Sequence, residues 1–552
     1  MNRLNASMGK CLFFGVLLFS GVGANAWEIT KDRWSNDDET RYSEFVQAIG
    51  ESGCNQFDKC LKSSANPYRG TDSPGVHHYA DCADFPYYLR AYFASKNGLP
   101  FSYIDQVRPL GKIGPAGIRY SIDGNYPYSR KSGIGSVTGT KFASNMINEV
   151  MSGTYRFHPQ LFSEGFIPSG VTLKDNVHFT DFYPIEISRN SIKPGTIMYD
   201  PAGHVAVVYK VNDDGSIRLV QGHPRAVVSR VTFGADILTR SRPSHGAGFR
   251  NWRAQYLVDY DKNSDGQLIG GKIVASTDAE SDYFSLEQYF GNVPAESGRW
   301  SEGKFSISNE EYTYHKYIRA RLSLADYEIR PVLEFKKRIG EVCESINYRA
   351  DSVAAAINDR IVSKAHPEKL PVNIYGTEGE WEDYSTPSRD ARIKTAYITL
   401  YSEMKELLDR YFAGDDKIIY EGSDIKSDLE SVFNESAPSC TVSYVNSSGE
   451  SVTLNFEDVM NRLFTMSYDP YDCIELRWGA TSASELSSCR QSETKMRWYR
   501  AQQFLRNQNM RLYDSKMDFN LSQLESDIAV GTPSEGAGIA EPLEVNFRKL
   551  FK

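Results

Sequence analysis

The stretch Pro194–Pro224, PGTIMYDPAGHVAVVYKVNDDGSIRLVQGHP, carries the reading of the fold. It holds three short β-type runs, GTIMYD, HVAVVYKV and SIRLVQG, and the last two are separated by the turn residues NDDGS. This pattern predicts an antiparallel hairpin in which His204 opens one strand and Gln221 or His223 lies roughly opposite on the other. A polar group facing an imidazole holds its orientation and tautomer. His204 is therefore a candidate general base, with Gln221 or His223 as the residue that orients it.

A base of this kind needs a nucleophile, and HYADCADFPYYLRAYFASKNGLPF, from His78 to Phe101, offers one. Phe85, Leu89, Tyr92 and Phe93 recur at helical spacing, Pro86 falls in a first turn where its missing N–H is tolerated, and Asn97-Gly98 supplies a stop. Cys82 is thus expected at or just before a helix N-terminus, where unpaired N–H groups and the helix dipole favour a thiolate. The Cys82 N–H, with Tyr79 and His78 just upstream, is a candidate oxyanion site. Asp84 and Asp200 read as helix-start and turn residues.

Cysteine usage separates Cys82 from the others. Arg3 and Lys10, the apolar run CLFFGVLLFSGVG, and small residues at Ala24 and Ala26 form a secretory signal-peptide pattern over 1–26, too short for a membrane anchor. The expectation is an exported chain beginning at Trp27, periplasmic or secreted, with no stable membrane anchor after cleavage. Cys11 leaves with the leader, and an odd number of cysteines in an oxidising compartment leaves at least one unpaired. Cys54 and Cys60 flank NQFDK, and Cys473 and Cys489 bracket a loop leading into a helix, so both are local bridge candidates. Cys343 and Cys440 make a third candidate pair, which leaves Cys82 as the odd thiol. Parity alone does not fix the connectivity, since six cysteines allow many pairings.

With these residues in place, the chain resembles papain-like cysteine amidases and peptidases of the CHAP and NlpC type, bacterial cell-wall hydrolases. They share a Pro-Gly before one strand, Gly-His opening the next, and a hairpin to a third polar residue. Where CHAP-like members have Glu and then Asn, this chain has Gln221 and His223; NlpC-like members accept His, Asn or Gln. The Asp81-Cys82 pair followed by a helix is similar to the nucleophile of the NlpC branch. The resemblance implies a papain-like α+β domain over about 27–270, a Cys-His-polar triad of Cys82, His204 and Gln221 or His223, and a cell-wall peptide or glycopeptide as substrate, with no cofactor. Cys82 and His204 are 122 residues apart, well beyond the spacing of compact members, so about 105–185 is expected as an insertion. The cysteine motif alone also resembles transglutaminase-like proteins, which makes acyl transfer an alternative. A catalytically inactive envelope binding or scaffold protein is the other.

The remaining features bound the function. The chain has 62 basic and 71 acidic residues, and removal of the leader's two basic residues takes the net charge from −9 to −11, which argues against nucleic acid as partner. From about 281 to 552 apolar residues recur every three or four positions, as in YIRARLSLADYEIRPVLEFKKRIGEVCESI, predicting a mostly α-helical C-terminal domain that is a candidate surface for a protein partner. DYDKNSDGQLIGGK matches half of an EF-hand loop, but Lys272 stands where a bidentate Glu is needed, so it reads as a polar turn. His77, His158, His178 and His245 show no metal-ligand spacing.

Overall fold

A six-stranded antiparallel sheet carries the predicted hairpin. The computed structural model describes residues 27–111, 113, 117–133, 138–163, 171, 179–238, 240–325, 327–372, 379–384, 387–507, 517–526 and 543–552; the expected leader, Cys11 and His178 lie outside them. Helix α1 (Asn36–Glu51), α2 (Phe57–Lys62) and α3 (Asp84–Lys96) precede a separate hairpin of β1 (Ser102–Pro109) and β2 (Asn125–Ser132), followed by α4 (Gly139–Asn145). The main sheet then comprises β3 (Phe182–Pro184), β4 (Ile197–Asp200), β5 (His204–Val211), β6 (Ile217–His223), β7 (Val227–Thr232) and β8 (Gly248–Trp252), in spatial order β3–β8–β4–β5–β6–β7. The segment expected as an insertion thus supplies the β1–β2 hairpin, α4 and β3, an edge strand of the main sheet.

The β5–β6 turn forms as its composition dictates. The Asn212 N–H donates to the Ser216 carbonyl at 2.9 Å, the Asp214 side chain accepts the Ser216 N–H at 2.9 Å, and Gly215 takes φ +76°. Side chains alternate across the strands: Val205, Val207 and Val220 join the core that holds α3, whereas Ala206, Val208 and Leu219 join a core on the other face with Phe249 and Ile318. Helix α3 is apolar nearly all round and is buried from Asp84 to Ala94. Each fully buried aromatic there contributes about 1.5–3 kcal/mol. Its one arginine, Arg90, stacks 3.4 Å over the Trp34 ring and donates to Glu39 at 2.8 Å, so the charge is paired where it is buried. The DYDKNSDGQLIGGK stretch forms the tip of a hairpin between β9 (Gln255–Lys262) and β10 (Leu268–Ala275), with Asn263 as the turn residue and Lys272 3.1 Å from Asp259.

Beyond β10 the chain is mainly helical. After α5 (Glu287–Phe290), a short β11–β12 pair (Phe305–Ile307, Glu310–Tyr312) and α6 (Tyr314–Leu322) come α7 (Pro331–Asn358), α8 (Glu380–Tyr384), α9 (Pro387–Phe412) and α10 (Ile425–Ser439). Phe335, Ile339, Val342, Ile346 and Val353 form the buried stripe of α7 at the three- and four-residue spacing read from the sequence. The stretch YIRARLSLADYEIRPVLEFKKRIGEVCESI, read as helical, is shared between α6 and α7. A hairpin of β13 (Thr441–Val445) and β14 (Ser451–Asn455) was not anticipated, although alternate burial along TVSYV shows the period-two signal that marks it. Among the described residues no helix is long and apolar enough to cross a membrane.

The three bridges are Cys54–Cys60, Cys343–Cys440 and Cys473–Cys489, the pairs proposed from position, and Cys82 is the free cysteine among the described residues. They suit an oxidising compartment. The helical half packs on the sheet through α7, which runs along β6 and β7. Arg218 of β6 pairs with Glu344 at 3.2 Å, Thr232 of β7 donates to Glu341 at 2.7 Å, and Lys337 reaches Asp214 at 2.8 Å. α7 thereby covers β7, an edge strand of the sheet.

Candidate active site at the ends of β5, β6 and α3

On the imidazole side, His204 opens β5 and its Nε2 lies 2.6 Å from Gln221 Oε1 on β6. The Gln221 amide is held in turn, Nε2 donating to Ser229 Oγ of β7 at 3.0 Å, directly across the ladder. With the amide turned this way, Oε1 accepts from His204 Nε2–H, and Nδ1 keeps the lone pair. His223 sits further along: its ring stacks on that of His204 with centroids 5.6 Å apart, its Nε2 lies 2.7 Å from Ser229 Oγ and its Nδ1 2.7 Å from Tyr348 Oη of α7. Of the two candidates for orienting His204, the structure places Gln221 in contact with it and His223 one bond behind, through Ser229. Burial first, then the charges of His204, Arg389 and Arg392, hold His223 well below its ordinary value, so it is neutral.

The thiol side starts at the head of α3. Asp81 caps the helix: its Oδ1 accepts the Ala83 N–H at 2.9 Å and the Asp84 N–H at 3.4 Å, and its carbonyl accepts the Phe85 N–H at 3.1 Å. Cys82 therefore occupies the first turn, as the spacing predicts. The N–H groups expected to favour a thiolate are, however, already satisfied by Asp81. Burial, then Asp81, Asp84 and Glu382, push the Cys82 thiol well above its usual value, with Arg119 opposing them. Cys82 is half-buried, and these surroundings oppose the expected lowering of its thiol. No hydrogen bond joins Cys82 to His204 among the described residues.

The two sides nonetheless meet. A Cβ on Gly222, between Gln221 and His223, would lie 2.6 Å from the Asp81 carbonyl and 3.1 Å from Phe85, so β6 touches the residue preceding Cys82 only because position 222 is bare. A Cβ on Gly203, just before His204, would lie 2.7 Å from the Tyr120 hydroxyl. Tyr120 and Tyr348 are both within electrostatic range of the thiol. The Cys82 N–H donates to no described group, which leaves it available to an oxyanion. Tyr79 is half-buried, its phenol raised by burial and engaged with the Arg225 backbone. His78 is fully buried and turned away, its Nδ1 2.7 Å from Tyr88 Oη and its Nε2 3.5 Å from Asp72. It belongs to the core.

Sequence reading missed Ser229, Tyr348, Arg119, Glu382 and the state of Asp84. Ser229 stands directly opposite Gln221 on a ladder that the hairpin pattern could have extended; Tyr348 and Glu382 come from the helical half, and no local pattern points to them. Asp84 is fully buried, neither carboxylate oxygen has a hydrogen-bond partner, and burial followed by Asp81 raises it to about 9. Directly after His223 and Pro224, Arg225 and Ala226 take φ +66° and +58°, conformations that cost non-glycine residues on the order of 1–3 kcal/mol each. Arg225 is held there by Asp359 at the end of α7 and by Tyr384 of α8, whose hydroxyl accepts from it at 3.1 Å.

Cys473, Glu475 and Cys489 form a cluster of metal-ligating groups, but both thiols are consumed in a disulfide. No family model, curated protein or solved structure matches the chain.

Proposed function

We propose that this chain is an exported cysteine hydrolase that cleaves an amide or peptide bond of peptidoglycan, with Cys82 as nucleophile, His204 as base and then acid, and Gln221 as the residue that orients the imidazole. The observation that carries the reading is the 2.6 Å contact of His204 Nε2 with an anchored Gln221 beside the one described cysteine outside a disulfide. It supports Nδ1 as the proton acceptor. The Cys82 proton passes to Nδ1, the sulfur attacks the carbonyl carbon, and the oxyanion takes the Cys82 N–H. The imidazolium returns the proton to the departing amine, and water, deprotonated by His204, then releases the acyl group.

A cysteine-bearing helix packed against an antiparallel sheet that presents the histidine supports a papain-like assignment for the N-terminal half. The three disulfides support export, and export together with the resemblance supports the wall as substrate. The raised thiol favours a second reading, a catalytically idle envelope protein that uses the cleft for recognition. Digestion of purified peptidoglycan by wild type and Cys82→Ala, followed by mass analysis of the fragments, separates the two. New amino and carboxyl ends that appear only when Cys82 is present identify the bond; identical fragment patterns from both proteins under conditions in which iodoacetamide labels Cys82 rule out the hydrolase.

A further inference from the structure

Resting on the reading of Cys82 as nucleophile, we propose that the helical half is an autoinhibitory cover, held over the cleft by Glu382 and Tyr348 and latched at Arg225. Three independent contacts converge on the site from that half. Tyr348 of α7 caps His223 at 2.7 Å and stacks on its ring with centroids 4.1 Å apart. Glu382 of α8 pairs with Arg119 at 2.9 Å, and both groups lie within electrostatic range of the Cys82 sulfur. Asp359 and Tyr384 grip Arg225, the residue with a left-handed backbone at the β6–β7 turn.

The Arg119–Glu382 pair is the part with chemical consequence. Arg119 is the cation that opposes the three carboxyl groups around the thiol, and Glu382 engages it directly. A thiolate at Cys82 competes with Glu382 for the same guanidinium. When α8 lifts, one carboxylate leaves the half-buried Cys82, Arg119 is released to face its sulfur, and the site becomes more open. Both changes lower the cost of the thiolate. The latch pairs are exposed on the surface, Arg225 and Asp359 each retaining at least two-fifths of their side-chain accessibility, so they are open to competition from outside. Strain in the Arg225–Ala226 turn is relieved when they part.

The test uses the full exported chain, alkylated with iodoacetamide, with the rate of modification at Cys82 followed by mass spectrometry. Glu382→Gln removes the competing charge without changing shape; Arg225→Glu sets a carboxylate against Asp359 and opens the latch. The expected result is slow labelling of wild type, about three- to tenfold faster labelling in Glu382→Gln, and at least as great an increase in Arg225→Glu. Unchanged rates in both variants overturn the cover, and if Arg225→Glu loses its cooperative melt, Glu382→Gln alone decides. The same samples are given peptidoglycan. Faster labelling with no cleavage by any of the three upholds the cover and rejects the hydrolase; cleavage by wild type with unchanged labelling in the variants does the reverse.

Discussion

The two sides of the candidate site are built to different standards. His204 is held through Gln221 and Ser229 by consecutive contacts of 2.6 and 3.0 Å, and both of those residues lie on neighbouring strands of one sheet. Cys82 has no such support: it is half-buried with carboxyl groups around its sulfur, and the Ala83 and Asp84 N–H groups at the helix start are spent on Asp81. The contrast follows from where each side finds its partners. A ladder fixes cross-strand neighbours as soon as the register is set. The thiol's surroundings come from α3, from Arg119 and from the helical half, so they change when those parts move apart.

The largest expected effect breaks the ordered side. His204→Ala should lower the rate of wall-peptide cleavage by about 10²–10⁴-fold, with far-UV circular dichroism unchanged. Ser229→Ala should cost less and shift the pH profile of cleavage while leaving KM in place, because it loosens the Gln221 amide and not the substrate. A KM change without a pH shift would place Ser229 in substrate binding.

Next in size is the seam between the sides. Gly222→Ala sets a methyl group 2.6 Å from the Asp81 carbonyl, against backbone that cannot swing aside. The expected loss is about 1–3 kcal/mol in urea unfolding, with faster alkylation of Cys82 as the head of α3 is displaced. Equal stability to wild type would mean that β6 and α3 do not touch there.

The smallest effects sharpen the comparison through pH, and the two sides have opposite signs. Asp84 stays protonated up to about 9 when folded, whereas the unfolded chain releases that proton near 3.8. The folded state binds more protons in between, so stability falls as pH rises through that window. Asp84→Asn should abolish that decline and raise stability at neutral pH by about 1–2 kcal/mol. His223 is held neutral when folded, so the unfolded chain takes up a proton first as pH falls below 6.5, and stability is lost from there downward. His223→Gln should flatten that acid limb. Thermal melts of the two variants across pH 4–9 check both signs.

Much of the ordered side was legible in the sequence. The hairpin, its turn and the helix after Cys82 with its Asn97-Gly98 stop follow from local rules of turn composition and periodicity; the two short bridges were legible as local candidates and Cys343–Cys440 only as the pair left over. Gln221 and His223 were both legible as candidates, but which of them meets His204 depended on side-chain geometry across the ladder. The unassisted thiol was not legible, because it depends on Glu382, exactly 300 residues downstream of Cys82, and on Asp81 capping the helix in place of the sulfur. The sequence shows a helix start; it does not show which group will claim the free N–H groups.

The Cys343–Cys440 bridge bears on all of this through chain entropy. It closes a loop of 97 residues, for which a loop-closure account gives stabilisation of about 4–5 kcal/mol. It joins the end of α10 to α7 little more than one helical turn before Tyr348, the residue that caps His223. Reduction therefore removes a staple that rigidifies the span of α7 bearing on the cleft. A chain in which this bridge is still reduced holds its helical half less firmly than the bridged one. Oxidative maturation becomes the step at which the grip on the cleft is set.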